Sequence, residues 1–375
     1  MGHAYTPGLR VTDEAVIHKK RILPIQGDVL VKVGDRVTAR TVIARTELPG
    51  KVQTVNVVNL LSIDAHDVRQ FMLKKEGDPV QKGEVIAENK PLIKWFKTSV
   101  PSPIDGKIEN VSTVTGQVIL REPPRPLEML AFIDGTVSEV FAREGCVVEA
   151  RCAFVQGIFG IGGEVNGPID IAAKGPDQEL TAEMLLPSHK GKIVVGGSYT
   201  TSKVVKRAVE LGILGIVVGG FDDKDLREIL GYDLGVAITG TEKIGLTLVQ
   251  TEGFGRIAMA KRTFDLLVSK KGQAASMSGA TQIRAGVIRP EIIVPLGADA
   301  KSKRREETGE RGGMKPGDPI RIIREPHFGK LATVKDLPQA LQTIATESHA
   351  RVLVAQFADG TTDVIPRANV EIIED

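Results

Sequence analysis

Aromatic residues are scarce in this chain of 375 residues, with 11 Phe, 3 Tyr and 1 Trp. So few rings leave little material for stacking bases or sugars. Cysteine is nearly absent. Two residues, Cys146 and Cys152, cannot staple a chain of this size, and they fit a reducing cytoplasm. They lack the C-x-x-C spacing of redox and zinc sites, so they read as small apolar residues in strands. No run approaches the roughly 18 uninterrupted apolar residues of a membrane span, and no membrane insertion is expected. Residues 1–8 lack the charged and apolar regions of a secretory signal, which again points to the cytoplasm. Neither sign of charge dominates: 49 basic residues face 47 acidic ones, which argues against a nucleic-acid surface along the whole chain. The six His, at 3, 18, 66, 189, 327 and 349, are scattered without any ligand spacing, so no metal and no cofactor are expected.

What is present is enough apolar material to fold: 42% hydrophobic against 26% charged residues excludes disorder. At about 100–200 residues per domain, the length predicts two to four domains.

The N-terminal third repeats itself. Gly34-Asp35-Arg36-Val37 precedes Val42-Ile43-Ala44, and Gly77-Asp78-Pro79-Val80 precedes Val85-Ile86-Ala87. Both read G-D-x-V-x4-V-I-A. Glycine accepts positive φ, Asp bonds its own backbone, and the Val/Ile alternation supplies half-buried strands. A second element follows each: Gly50-Lys51-Val52 to Val55 after the first, and Gly106-Lys107-Ile108 to Val111 after the second. A third, degenerate copy is read from Gly135 to Val140 and on to Val148. These patterns resemble the barrel-sandwich hybrid fold of biotinyl and lipoyl carriers and of RnfC-type electron-transport subunits. The resemblance covers residues 25–155 and implies small β-sandwiches. Carriers modify a Lys within M-K-M or D-K-A. Neither tripeptide occurs here, and Lys90, Lys94 and Lys97 around Trp95-Phe96 read as a solvated loop with an aromatic anchor.

The glycine-rich run from Gly157 to Glu164 has the density of a phosphate-cradling loop but lacks the Lys-Ser/Thr of a P-loop. A structural β-turn or close backbone packing is the preferred reading. After residue 175 the pattern becomes α/β. Buried strands are expected at Gly191–Gly197, Gly215–Gly220 and Gly235–Gly240, and a fourth at Leu246–Gln250. Helices are expected after Ser202, after Asp222-Asp223 and over residues 258–271. The core is similar, over about forty residues, to swivelling β/β/α domains of the protease-associated type, which implies a binding or lid module. Gly196, Gly197, Ser198, Thr200, Thr201 and Thr241 would end neighbouring strands and form a crevice for a small anionic ligand. The alternative is that Gly and Thr merely end strands and cap helices. Ser198 has no evident base, so no catalytic residue is assigned. Arg284 and Arg289 read as an anion clamp or as a salt-bridged sheet rim.

Residues 298–314 form a charged stretch without apolar periodicity and read as a linker. The segment 315–375 has alternating strands and an Asp359-Gly360 hairpin cue. Its G-D-x-[IV]-x-[IV] strand, F-G-K loop and P-x-x-x-[VIL]-x-[IV] end resemble a KOW-type SH3-like barrel. Such domains bind RNA, ribosomes or polymerase, so the resemblance makes Arg321, Arg324, His327, Phe328, Lys330 and Arg367 candidate partner contacts. The segment holds seven basic and nine acidic residues, against the basic footprint that phosphate binding requires. RNA and protein partners both stay open.

The expected organisation is a multidomain, β-rich chain. Barrel-sandwich-like β repeats occupy 1–128, and a third β repeat with the glycine-rich loop occupies 129–175. A central α/β domain with parallel strands spans 176–297, a charged linker 298–314, and an SH3-like (KOW) β-barrel 315–375. The function expected is that of a non-catalytic adaptor docking a larger machine. An accessory subunit of a metabolic or electron-transfer complex and a binder of small anions or nucleotides are the alternatives.

Overall fold

A computed structural model describes residues 9–89, 98–232, 239–282, 288–297, 314–322, 326–327, 330–343 and 349–372. The molecule is β-rich, with several sheets and few short helices. Its spine is the strand Gly145–Gln156. One edge pairs antiparallel with Val11–Ile22, from Ile22 opposite Gly145 to Val11 opposite Val155. The other edge takes two partners in turn, Gly135–Phe141 along residues 145–149 and Glu291–Pro295 along residues 152–156. Sequence follows geometry here. Buried and less buried positions alternate as far as Arg151, then Cys152, Ala153, Phe154 and Val155 are all buried. Alternation suits a sheet with one covered face, and an unbroken apolar run suits one covered on both. Cys146, Val148, Ala150 and Cys152 enter an N-terminal core, whereas Ala153 and Val155 enter a central one.

The N-terminal repeats are nested rather than tandem. Val42–Leu48 pairs with Arg125–Leu130, and Val52–Asn56 pairs with Gln117–Arg121. Residues 52–121 therefore form a second lobe inserted into the first. It has its own core of Val57, Val68, Ile86, Ile108, Val118 and Leu120 among others. Only residues 49–51 and 122–124 connect the lobes, and the Glu122 amide donates to the Lys51 carbonyl across them at 2.9 Å. The partner of the first G-D turn is consequently Gly135–Val140, the segment expected to be a third repeat. Gly34 N donates to Val137 O at 2.8 Å, as Gly77 N donates to Ile108 O at 2.7 Å in the inserted lobe. Gly50–Val55, expected to complete the first copy, instead opens the inserted lobe.

One local device recurs in both lobes and in the C-terminal unit. In Lys32-Val33-Gly34-Asp35, Lys75-Glu76-Gly77-Asp78 and Lys315-Pro316-Gly317-Asp318, the Asp carboxylate accepts the Lys amide at 2.7 Å each time. The glycines sit at φ +91°, +92° and +94°, a region closed to most side chains.

In the central part, Glu164–Ile171, Ile193–Val195, Gly215–Phe221 and Thr247–Phe254 lie parallel and side by side in chain order. Helices Ser202–Glu210 and Asp223–Leu230 cover one face, where Val194, Ile216, Val218 and Leu248 meet Val204, Val205, Ala208 and Leu226. Helix Lys261–Ser269 covers the other with Phe264 and Leu267, against Val195, Val217 and Val249. Thr247–Phe254 is flanked directly by Gly215–Phe221 and by antiparallel Phe159–Ile161. The strand expected at 235–240 falls largely on residues 233–238, which lie outside the described residues. The sheet also runs through the expected boundary near residue 175, since Glu164–Ile171 pairs with both Ile193–Val195 and Ala274–Ser278.

The C-terminal unit is a five-stranded sheet around Ile320, Val334, Leu353, Ile365 and Val370. The expected Asp-Gly hairpin joins Val352–Phe357 to Thr362–Pro366, with Asp359 accepting from the Thr361 amide at 2.9 Å. Among the described residues no helix is long and apolar enough to cross a membrane.

Candidate functional site

The C-terminal ends of the parallel strands are where an α/β sheet offers backbone amides to a ligand. In this molecule four of those amides are already bonded. Gly196 N donates to Val217 O, Ser198 N to Gln178 O, Gly219 N to Gly197 O, and Gly220 N to Ser198 O, at 2.6–2.9 Å. The glycines are required by close backbone approach. A Cβ on Gly197 would lie 2.2 Å from Gln178 O, and one on Gly220 would lie 2.0 Å from Gly255 O. Thr200 is fully buried, and its hydroxyl donates to Leu180 O at 3.2 Å.

The neighbouring helix terminus is occupied by the chain's own carboxylates. Asp225 accepts the Ser202 amide at 2.9 Å, and Glu228 accepts the Ser202 hydroxyl at 2.8 Å. The Tyr199 hydroxyl donates to Asp222 at 2.7 Å and to Asp225 at 3.0 Å. Burial and these two carboxylates push the Tyr199 phenol well above its ordinary range. Burial works against the Asp225 charge, but bonds from Ser202 and Tyr199 outweigh it and lower its pKa. The Arg256 guanidinium lies 4.4 Å from the Tyr199 ring centroid and pairs with Glu179. An acidic group already meets the positive end of helix Ser202–Glu210, and a second anion there would face repulsion.

Thr241 does not join this cluster. It is exposed, beside Glu242, whose carboxylate accepts from Gly240 N at 2.8 Å and Gly162 N at 3.0 Å. Gly162 packs on the Leu246 carbonyl, at the N-terminal end of Thr247–Phe254. Thr241 therefore lies at the opposite end of the sheet from Ser198. The expected crevice of Gly196, Gly197, Ser198, Thr200 and Thr241 is not assembled. The glycine-rich run packs closely, as preferred from the sequence. The Gly160 amide donates to Thr281 Oγ1 at 2.9 Å, and Thr239 Oγ1 donates to Gly160 O at 2.7 Å.

On the C-terminal unit, the sequence-derived contacts separate. Arg321, expected on a partner-facing surface, is buried. It stands opposite Glu371 on the paired strand and donates to it at 3.1 Å, and it pairs as well with Glu252 of the central sheet. Arg289 donates to the other Glu371 oxygen at 2.9 Å. Side-chain exposures of 4% for Arg321, 3% for Glu252 and 1% for Glu371 make this a sealed, charge-balanced joint between the unit and the central sheet. Sequence reasoning placed Arg289 on a salt-bridged rim but missed Glu252 and Glu371. Arg367 braces loops, donating to Val352 O and Pro338 O at 2.9 Å each. His327 and Lys330 do come together, around Phe357. The His327 ring lies 4.9 Å from it and bonds Asp363 at 2.8 Å, while Lys330 Nζ lies 5.5 Å from the Phe357 centroid. Arg324 and Phe328 lie outside the described residues, as do Arg284, Lys90, Lys94 and Lys97.

Cys146 and Cys152 are buried strand residues, as expected; desolvation raises both thiols, that of Cys152 to about 12. His189 is a buried loop brace, accepting the Leu186 amide at 3.1 Å, and desolvation lowers its pKa. Among the described residues no group of three or more His, Cys, Asp or Glu could hold a metal ion. No protein-family model matches this chain, and no curated protein matches it.

Proposed function

We propose that the chain is a non-catalytic adaptor that docks a larger macromolecular assembly. Its two nested N-terminal lobes act as barrel-sandwich hybrids and its C-terminal unit as a KOW-type SH3-like barrel. The observation that carries this function is the state of the central strand ends. Four of their amides bond the chain's own backbone, and an aspartate occupies the helix terminus. That arrangement favours a rigid scaffold over a small-anion or nucleotide site. With Arg321 and Arg367 engaged internally, the candidate contacts that come together among the described residues are His327 and Lys330, around Phe357. A segment of net negative charge suits a protein partner better than RNA.

The test is affinity capture of the full chain from its source cells, with and without nuclease, read by mass spectrometry. A stable protein assembly that survives nuclease is the expected result. Identification of that assembly as one metabolic or electron-transfer enzyme would select the accessory-subunit role over translation or transcription machinery. Turnover of a defined compound by purified protein, abolished by Ser198→Ala, would overturn the proposal.

A further inference from the structure

We propose that the unpaired edge of the strand Glu164–Ile171 binds an extended acidic segment of a partner protein, which adds to the sheet as one more strand. The proposal rests on the adaptor reading and names one of its docking surfaces. This strand lies between Ile193–Val195 and Ala274–Ser278. Residues 164–168 pair with Ala274–Ser278, but only residues 169–171 pair with Ile193–Val195. The Ile169 amide donates to Gln273 O, on the side of Ala274–Ser278. Backbone direction alternates along a strand, so the backbone groups of Glu164 and Asn166 point to the opposite edge. Among the described residues, the bond made there is a long one: Arg40 Nη2 donates to Asn166 O at 3.4 Å. Pro168 has no N–H and ends the run. The open edge is about 13 Å long at the usual rise per residue.

A groove of about 400 Å³ runs along this edge, with Ala39, Leu130, Phe132, Val165 and Leu214 supplying apolar walls. Leu130 is 40% exposed. Phe132 is buried with φ +71°, a costly conformation for a bulky residue. Its amide donates to Ala39 O at 3.0 Å and its carbonyl accepts from Ser276, which fix it there. Charge selects the ligand. Arg21 holds Glu164 through two bonds of 2.6 and 2.7 Å, so those charges cancel. Arg40 is exposed and makes no ion pair among the described residues. It reaches the middle of the edge rather than its end, so a passing chain presents an Asp or Glu side chain to it, not a terminus. The incoming amide takes Asn166 O, and Arg40 turns to the carboxylate. Main-chain bonds supply affinity, while the groove selects alternate apolar side chains and the Arg40 pair selects the acid.

The experiment selects short phage-displayed peptides on the full chain, from one library of internal segments and another with free C-termini. Selected peptides are then titrated by fluorescence anisotropy. Internal segments with alternate apolar residues and one Asp or Glu should be enriched. Arg40→Glu and Leu130→Glu should each weaken binding about tenfold or more, the loss of one charge-assisted bond or one apolar contact. N-methylation of the peptide amides in the pairing register should abolish binding, and methylation of the alternate amides should not. That arm requires no altered protein. The proposal is overturned by unchanged affinity in both variants, by enrichment of free C-termini alone, or by no enrichment. Self-association lost in Arg40→Glu would also overturn it, by assigning the edge to a second copy. If the variants still capture the cellular assembly, the edge proposal fails and the adaptor function stands. If the wild-type chain captures nothing, the adaptor function fails independently.

Discussion

Arg321→Met removes one cation from a sealed set of two arginines and two glutamates. The guanidinium faces Glu371 across the strand pair and Glu252 across the joint, and both carboxylates are at most 3% exposed. After substitution, Arg289 alone balances two buried negative charges. Removing one partner of a buried pair costs about 3–5 kcal/mol. The Arg321 Nε has no partner among the described residues, which offsets about 1 kcal/mol of what the arginine contributes. The expected loss is therefore about 3 kcal/mol. The apolar core of the C-terminal unit is untouched, so the loss should fall on its attachment to the central sheet. Urea unfolding followed by circular dichroism measures the total. Hydrogen exchange at Pro319–Ile322 and Thr247–Phe254 locates it. The double variant Arg321→Met/Glu252→Gln leaves Arg289 against Glu371, a balanced pair, and keeps an acceptor for the Ala260 amide, which donates to Glu252 at 2.9 Å. It should recover at least about 1.5 kcal/mol relative to additivity. A loss below about 1 kcal/mol for Arg321→Met, or strict additivity in the cycle, would refute the sealed-joint reasoning.

Other perturbations test other parts of the fold. Burial opposes the charge of Asp170, yet Lys192, the Ile171 amide and Lys271 hold its pKa at about 2, against 3.8 ordinarily. A lowered folded-state pKa stabilises above about pH 4 and loses that contribution as pH falls towards 2. Wild type should thus exceed Asp170→Asn by on the order of 1–2 kcal/mol at pH 7, discounted for the exposed Lys271, with the gap closing in acid; a gap constant with pH in urea titrations counts against it. Gly197→Ala should cost about 1–3 kcal/mol, because the methyl meets the Gln178 carbonyl, and a neutral result by thermal melting would contradict that packing. Asp35→Ala, Asp78→Ala and Asp318→Ala should each cost up to about 1 kcal/mol and by similar amounts, since each breaks the same turn bond; widely unequal urea midpoints would deny the shared device.

Local chemistry was readable in the sequence. The G-D turns, the Asp359-Gly360 hairpin and the helices after Ser202 and Asp222 follow from φ preference, turn chemistry and periodicity and lie where expected, although neither Thr201 nor Asp222 makes the expected side-chain cap bond. Pairing was not readable. The segments at Gly50, Gly106 and Gly135 look alike because each begins a strand beneath a neighbouring carbonyl, namely Glu122 O, Arg121 O and Glu149 O. That likeness says nothing of which turn each one meets, so a nested insertion passed for tandem repeats. Thr241 was misplaced because chain order suggested a strand at 235–240, whereas Thr247–Phe254 takes the position beside Gly215–Phe221. Arg321 was read as outward because alternation within one domain cannot reveal a second domain lying on that face. A lone carboxylate between apolar strand residues, Glu371 between Val370 and Ile372, was the available signal, whereas Glu252 follows the polar Gln250-Thr251 and stood out less. A buried carboxylate requires a cation.

The decisive quantity is the native size of the tagged chain in extract from its source cells, measured with and without nuclease. If its surfaces do the work, it elutes with a heavier protein assembly in both conditions. Elution near 40.3 kDa, together with turnover by the isolated chain, would mean that a reactive centre performs the function instead.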